Sequence, residues 1–219
     1  MGDLYWLDLK RIKDICNIEY FVETGTFEGD TTQYVFENIK LKHYYTIELD
    51  PIYVNIANKR FVNKPITVTH NNSVDGLRDN IHYCDGNTLF WLDAHFINSD
   101  GGKQSYDSDS NIKSRLPLEC ELNHILTRVS KFNDIIIIDD VRIYEDGPYE
   151  GGTFDAHMQL LNSTVKRSQI CEHNSIEPLV SAFKHTHNIY KTFKHQGYLI
   201  LLPKTFFSKM FDINSLWKL

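Results

Sequence analysis

"NIYKTFKHQGYLILLPK", residues 188–204, consists of two strand-like runs separated by Gln196 and Gly197. A glycine between two runs rich in β-branched and aromatic residues predicts a hairpin, so the last two strands are expected to be antiparallel. The earlier apolar runs have different neighbours. "YFVETG" (20–25), "YYTIELD" (44–50), "PITVTHN" (65–71), "TLFWLDA" (88–94) and "DIIIIDD" (134–140) are short, largely apolar and end in polar residues. That is the pattern of strands buried on both faces. Helical stretches lie between them. "DTTQYVFENIK" (30–40) is expected to be capped at Asp30 or Thr31. "DPIYVNIANKRFV" (50–62) has Asp50 as cap and Pro51 at the first helical position. "LPLECELNHILTRVSKF" (116–132) sets Leu118, Leu122, Ile125, Leu126 and Val129 on one face. Strands alternating with helices imply a parallel sheet with right-handed crossovers. Five parallel units closed by an antiparallel hairpin narrow the fold further.

A length of 219 residues suits one domain, 1–219. The net charge of −6 and the lack of any Lys/Arg run argue against a nucleic-acid partner. Cys16, Cys84, Cys120 and Cys171 show neither CxxC nor zinc spacing, and are expected to be reduced thiols of a cytoplasmic protein. No signal peptide or membrane span is expected, because charged residues interrupt every apolar run. Two segments stand outside the alternation. Residues 97–116 form a polar, lid-like loop containing Gly101 and Gly102. Residues 141–174 form an insertion rich in His, Gly and Glu.

The first strand run leads into Glu23-x-Gly25-x-x-x-Gly29. Phe27 breaks the dinucleotide fingerprint, and Asp30 stands where a P-loop needs lysine. An acid beside the glycines suits a ligand with a cationic or zwitterionic end better than a diphosphate. Glu48, ending the second run, is placed to accept ribose hydroxyls. The polar residues after the third run could read an adenine edge. The stretch resembles motif I of the class I S-adenosylmethionine-dependent methyltransferases, and "IELD" (47–50) resembles their second motif. The resemblance implies a Rossmann-like methyltransferase fold, a seven-stranded mostly parallel sheet of order 3-2-1-4-5-7-6. It also implies S-adenosylmethionine as cofactor. Glu23, Thr24, Gly25, Thr26, Gly29, Thr31 and Thr32 would line its amino-acid end, Glu48 and Leu49 its ribose, Asn72 and Ser73 its adenine, with Asp93 beside them.

The fourth and fifth runs end in Asp93 and in Asp139–Asp140. Adjacent strands lie about 4.7–4.9 Å apart, so these acids need a counter-charge: a metal, a proton, or a basic side chain such as Arg142. "LDAH" and "IDD" resemble the metal-dependent O-methyltransferases of the catechol and macrocin types. That resemblance implies a divalent metal, Mg²⁺ or Mn²⁺, on Asp93, Asp139 and Asp140. Phe96 stands where the catechol type has its lysine base, so His95 is the candidate base, with Asp93 beside it as a second catalytic residue. Two alternatives stay open: Asp93 as pocket lining alone, and Asp140 as a cap or as the partner of Arg142. Arg142, Tyr144 and His157 are candidates for binding the acceptor. The expected function is O-methylation of a small molecule, with a sugar or nucleotide sugar as the acceptor implied by the resemblance. Metal-free methyl transfer, or cofactor binding without catalysis, is the alternative. Assembly into a homo-oligomer is left open.

Overall fold

The computed structural model describes residues 4–94, 116–160, 164, 166–172 and 174–209. The elements run α1 (Leu9–Cys16), β1 (Tyr20–Thr24), α2 (Asp30–Asn38), β2 (His43–Glu48), α3 (Pro51–Arg60), β3 (Ile66–His70), α4 (Ser73–Ile81), β4 (Thr88–Leu92) and α5 (Leu118–Leu126). Next come β5 (Ile135–Ile138), α6 (Phe154–Leu160), α7 (Arg167–Ile170), α8 (Glu177–Val180), β6 (His187–Thr192) and β7 (Tyr198–Pro203). One seven-stranded sheet has the order β3-β2-β1-β4-β5-β7-β6. β1 pairs in parallel with β2 and β4, and β7 pairs antiparallel with both β5 and β6. Among the described residues no helix is long and apolar enough to cross a membrane.

Burial follows the residue types. β1, β4, β5 and β7 are buried along their whole length, as a central strand covered on both faces requires. β3 lies at the sheet edge and exposes Thr67 and His70. On one face Phe21, Tyr44 and Trp91 pack with Val35 of α2, Ala57 of α3 and Leu9 and Ile12 of α1. On the other, Val22, Ile47 and Ile138 pack with Leu77 of α4 and Leu118, Leu122 and Ile125 of α5. Helices after β1 and β2 thus cover one face, and those after β3 and β4 cover the other. Strand order reverses between β1 and β4, and ligands of open α/β sheets bind at the carboxyl ends beside such a reversal.

Three expectations change in detail. α2 begins at Asp30 with Gly29 as its N-cap in the left-handed region, in place of Asp30 or Thr31 as the cap. The cap at Asp50 stands: its side chain accepts from the Ile52 amide at 2.7 Å. The hairpin connection is five residues, 193–197, instead of two, because Thr192 pairs with Tyr198. His195 and Gly197 turn it with φ of 50° and 87°. The elaboration after β5 extends to His185, the end of a 3₁₀ turn that follows α8. The loop 97–116, apart from Leu116, lies outside the described residues.

Candidate active site

The chain leaves β1 through Gly25, whose φ is +84°. The amides of Gly25 and Thr26 both donate to the Ile47 carbonyl, at 3.0 and 3.2 Å. A Cβ on Gly25 would lie 2.8 Å from the Asp93 carbonyl oxygen, so glycine lets the exit of β1 run directly against the exit of β4. Gly29, at φ +83°, closes the turn by donating to Thr26 O at 2.8 Å. Between them Phe27 holds φ at 49°, an uncommon conformation for a bulky residue. Two contacts fix it: its amide donates to Glu48 Oε2 at 2.7 Å, and its ring packs 4.3 Å from that of Tyr53.

Glu23 is 1% exposed. Its Oε2 accepts from the hydroxyls of Thr32 and Thr46, each at 2.6 Å. Thr26 Oγ1 lies 2.5 Å from Thr46 Oγ1 and donates to it, because Thr46 donates to Glu23. The carboxyl therefore ties the glycine turn, the start of α2 and β2 together. Burial pushes its pKa up to about 8; the two threonine hydrogen bonds act against that rise, while Asp93 and Glu48 add to it. Folded Glu23 thus keeps a proton that the unfolded chain releases near its ordinary pKa. Stability contributed at Glu23 is complete at acid pH and declines as pH rises from about 4.5 towards 8. Every tenfold difference in acidity between the folded and unfolded carboxyl is worth about 1.4 kcal/mol, so the decline is several kcal/mol. Glu23→Gln is expected to flatten the dependence of unfolding free energy on pH across that window. A variant whose curve parallels the wild type would remove Glu23 as its source.

Glu48 is half-buried and accepts from two amides, Phe27 on Oε2 and Asp50 on Oε1 at 2.8 Å. A carboxylate offers about four lone-pair positions, so each oxygen keeps one for a ligand hydroxyl. Leu49 beside it is 47% exposed. Asn72 caps α4 by accepting from the Asp75 amide at 2.9 Å, and Ser73 follows half-buried. Thr31 is half-buried on the first turn of α2. Thr24 is fully buried, and its Oγ1 has no hydrogen-bond partner among the described residues.

The acids of β4 and β5 come to the same edge. The Asp93 amide donates to Thr24 O at 3.1 Å, and the Asp139 amide to Leu92 O at 3.0 Å. Asp140 adopts a left-handed conformation (φ 51°, ψ 43°), and its amide donates to Asp139 Oδ1 at 2.8 Å. Its carboxylate lies 3.5 Å from Arg142 Nε, an ion pair without hydrogen-bond geometry. Among the described residues no group of three or more His, Cys, Asp or Glu side chains is arranged to hold a metal ion. Asp93, Asp139 and Asp140 do not form such a group, and the Asp140 carboxylate has the Arg142 guanidinium as a neighbouring positive charge. Arg142 is buried, with Nη1 donating to Gly151 O at 3.2 Å. Tyr144 is buried too, and its phenol is raised well above the usual range by that burial, with Glu121, Cys171, Asp140 and Asp93 adding to the rise. His157 is half-buried on α6. His95, the candidate base, lies outside the described residues.

Thr46 and Phe27 were not expected at the site. Thr46 precedes Glu48 by two residues, so the period of a strand carries its side chain to the same face, which is the available signal. Phe27 at positive φ carries none. Opposite the sheet the insertion is fastened by Arg167, which donates to Asp146 Oδ1 and Oδ2 at 3.2 and 3.1 Å and to Tyr144 O at 3.3 Å.

No protein-family model and no curated protein matches the chain. Solved structures do match in fold. An O-methyltransferase from Bacillus cereus in complex with SAH is 15% identical with a TM-score of 0.53, over 90% of this chain and 79% of that one. The O-methyltransferase TomG of tomaymycin synthesis from Streptomyces achromogenes, in complex with SAM, is 11% identical with a TM-score of 0.51, over 89% and 77%. A candidate rRNA methylase from Clostridium thermocellum is 10% identical with a TM-score of 0.50, over 89% and 94%. With its 3-2-1-4-5-7-6 sheet and antiparallel last hairpin, the chain has the Rossmann-like fold of the S-adenosylmethionine-dependent methyltransferases.

Proposed function

We propose that the chain transfers a methyl group from S-adenosylmethionine to a hydroxyl of a small molecule, with a sugar or nucleotide sugar as the acceptor. The observation that carries the reading is the turn at Gly25, packed against the Asp93 carbonyl at the point where strand order reverses, with Glu48 one strand away. When bound, the cofactor supplies a methyl carbon on a sulfonium sulfur, open to in-line displacement by an oxygen. Glu48 accepts from the ribose hydroxyls through the lone pairs its two amide donors leave. Glu23 holds Thr32 and Thr46 and so keeps the turn in shape for the cofactor's amino-acid end. Asp93 lies at the meeting of the two halves and orients the acceptor, while His95 takes the acceptor's proton. Holding the two reactants in line supplies much of the rate. The rRNA reading suggested by one fold relative is disfavoured by the net charge of −6.

Calorimetry with S-adenosylhomocysteine tests the cofactor half. Glu48→Ala is expected to weaken binding by about 1.5–3 kcal/mol, the range for a hydrogen bond to a charged group, with thermal unfolding little changed. Equal affinity in wild type and variant would remove Glu48 from the cofactor site. Radiolabelled methyl transfer to a panel of nucleotide sugars tests the acceptor, and transfer to RNA alone would reject a small molecule.

A further inference from the structure

We infer that Arg142 is the resident counter-cation of the acids that follow β5. Asp140 is thereby committed to a side chain of this protein and not to a divalent ion. Three observations converge on it. The Asp140 carboxylate faces the Arg142 Nε at 3.5 Å, both side chains being largely buried. Asp140 is turned towards it by a left-handed backbone conformation that the Asp139 carboxylate holds through the Asp140 amide. The guanidinium is itself fixed in place. The Arg142 amide donates to Gln196 O at 3.2 Å, and Nη1 donates to Gly151 O. A Cβ on Gly151 would meet Arg142 Nη1 at 3.6 Å and the His195 carbonyl oxygen at 3.0 Å. The hairpin loop and the insertion thus build a cradle around one cation. A divalent ion entering beside Asp140 would meet that fixed positive charge, and its attraction to the acid would be largely cancelled.

The residues implied for a metal therefore do not fit one in this chain. Arg142 acts as a positioning residue: it holds the Asp140 carboxylate in one place beside the guanidinium. The consequence for turnover rests on the methyltransferase reading, whereas the ion-binding consequence does not.

Manganese titration followed by electron paramagnetic resonance separates the two. Wild-type protein is expected to leave the free Mn²⁺ signal unchanged. Arg142→Met is expected to gain a site, binding Mn²⁺ at least about tenfold tighter than wild type, equivalent to about 1.4 kcal/mol. Arg142→Met combined with Asp140→Asn is expected to lose it again, which a merely structural role of Arg142 would not produce. Uptake of one Mn²⁺ per wild-type chain, abolished by Asp140→Asn, would overturn the inference. A folded Arg142→Met that gains no Mn²⁺ affinity would overturn it equally. Should that variant fail to fold, the wild-type titration and an Arg142→Lys protein, expected to exclude Mn²⁺ as wild type does, carry the test. Methyl transfer is expected to persist in excess chelator, and its loss would count against the inference. Failure to bind S-adenosylhomocysteine would instead reject the methyltransferase reading and leave the manganese result standing.

Discussion

Arg128→Ala is expected to lower folding stability by about 3–5 kcal/mol, the cost of leaving a buried charge without its partner. Arg128 lies just past α5 and reaches the entrance of β4 and β5, at the far end of the sheet from the site. Its Nε donates to Asp134 Oδ2 at 2.9 Å, and Nη2 donates to Gly86 O at 2.9 Å and to Thr88 Oγ1 at 3.1 Å. Nη1 donates to Cys84 O at 2.7 Å and Ile81 O at 3.1 Å. The guanidinium also lies 4.4 Å from the centre of the Phe132 ring. Asp134 is fully buried; burial raises its pKa and Arg128 opposes the rise. Without Arg128 the acid keeps the desolvation penalty and loses the compensation, while three carbonyls lose their donor. Asp134 would then hold a proton to higher pH in the folded state. The deficit should shrink as pH falls towards the unfolded pKa and grow as pH rises above it. Arg128→Lys should recover only part of the loss, since an ammonium cannot reproduce the planar fork. Urea unfolding at pH 5 and pH 8 reads all of this, and a loss below about 1 kcal/mol, typical of an exposed pair, would mean the network contributes little.

Gly25→Ala is expected to weaken S-adenosylhomocysteine binding by about a hundredfold or more, or about 2.7 kcal/mol. Two costs act together. Left-handed backbone costs a residue with a Cβ about 1–2 kcal/mol, and at φ +84° the methyl would sit 2.8 Å from the Asp93 carbonyl oxygen. The obstacle is backbone and cannot rotate away. The turn would have to lift off β4, carrying with it the Phe27 amide that meets Glu48. The sheet itself should survive, so calorimetry alongside circular dichroism separates lost affinity from lost fold. Unchanged affinity would show that the cofactor does not rest on this turn.

Periodicity and punctuation made most of the architecture legible. Runs such as Ile135–Ile138 have no polar face, so they could only be interior strands, and Asp50–Pro51 marked the start of a helix to the residue. The glycine turn and Glu48 were legible as a candidate site because their spacing is local. The acids after β5 were legible as a group needing a counter-charge, but the choice among metal, proton and Arg142 was not. That choice depends on where Gly151, 9 residues on, and the distant 193–197 loop meet Arg142. The same reason hid Arg128, whose partners come from the segments leading into β4 and β5. Glu23 was legible as an acid but not as a buried one, because its threonine partners arrive from α2 and β2.

Synthesis order gives the strand arrangement a further consequence. β7 follows the other described strands in the chain and so leaves the ribosome after them, yet it lies inside the sheet, between β5 and β6. Until Tyr198–Pro203 emerges, the outer edge of β5 has no neighbour, and that edge is four consecutive isoleucines. An unpaired, flat, apolar edge is the surface on which nascent chains associate with one another. The hairpin loop also supplies carbonyl acceptors to the Val141, Arg142, Glu150 and Gly151 amides. The segment beyond β5 therefore cannot take its shape until residues 193–203 have been made, whereas β1 to β4 can pair earlier. A chain stalled before residue 198 would carry a formed β1–β4 half and an open, adhesive flank, making it a substrate for chaperones that shield exposed strand edges.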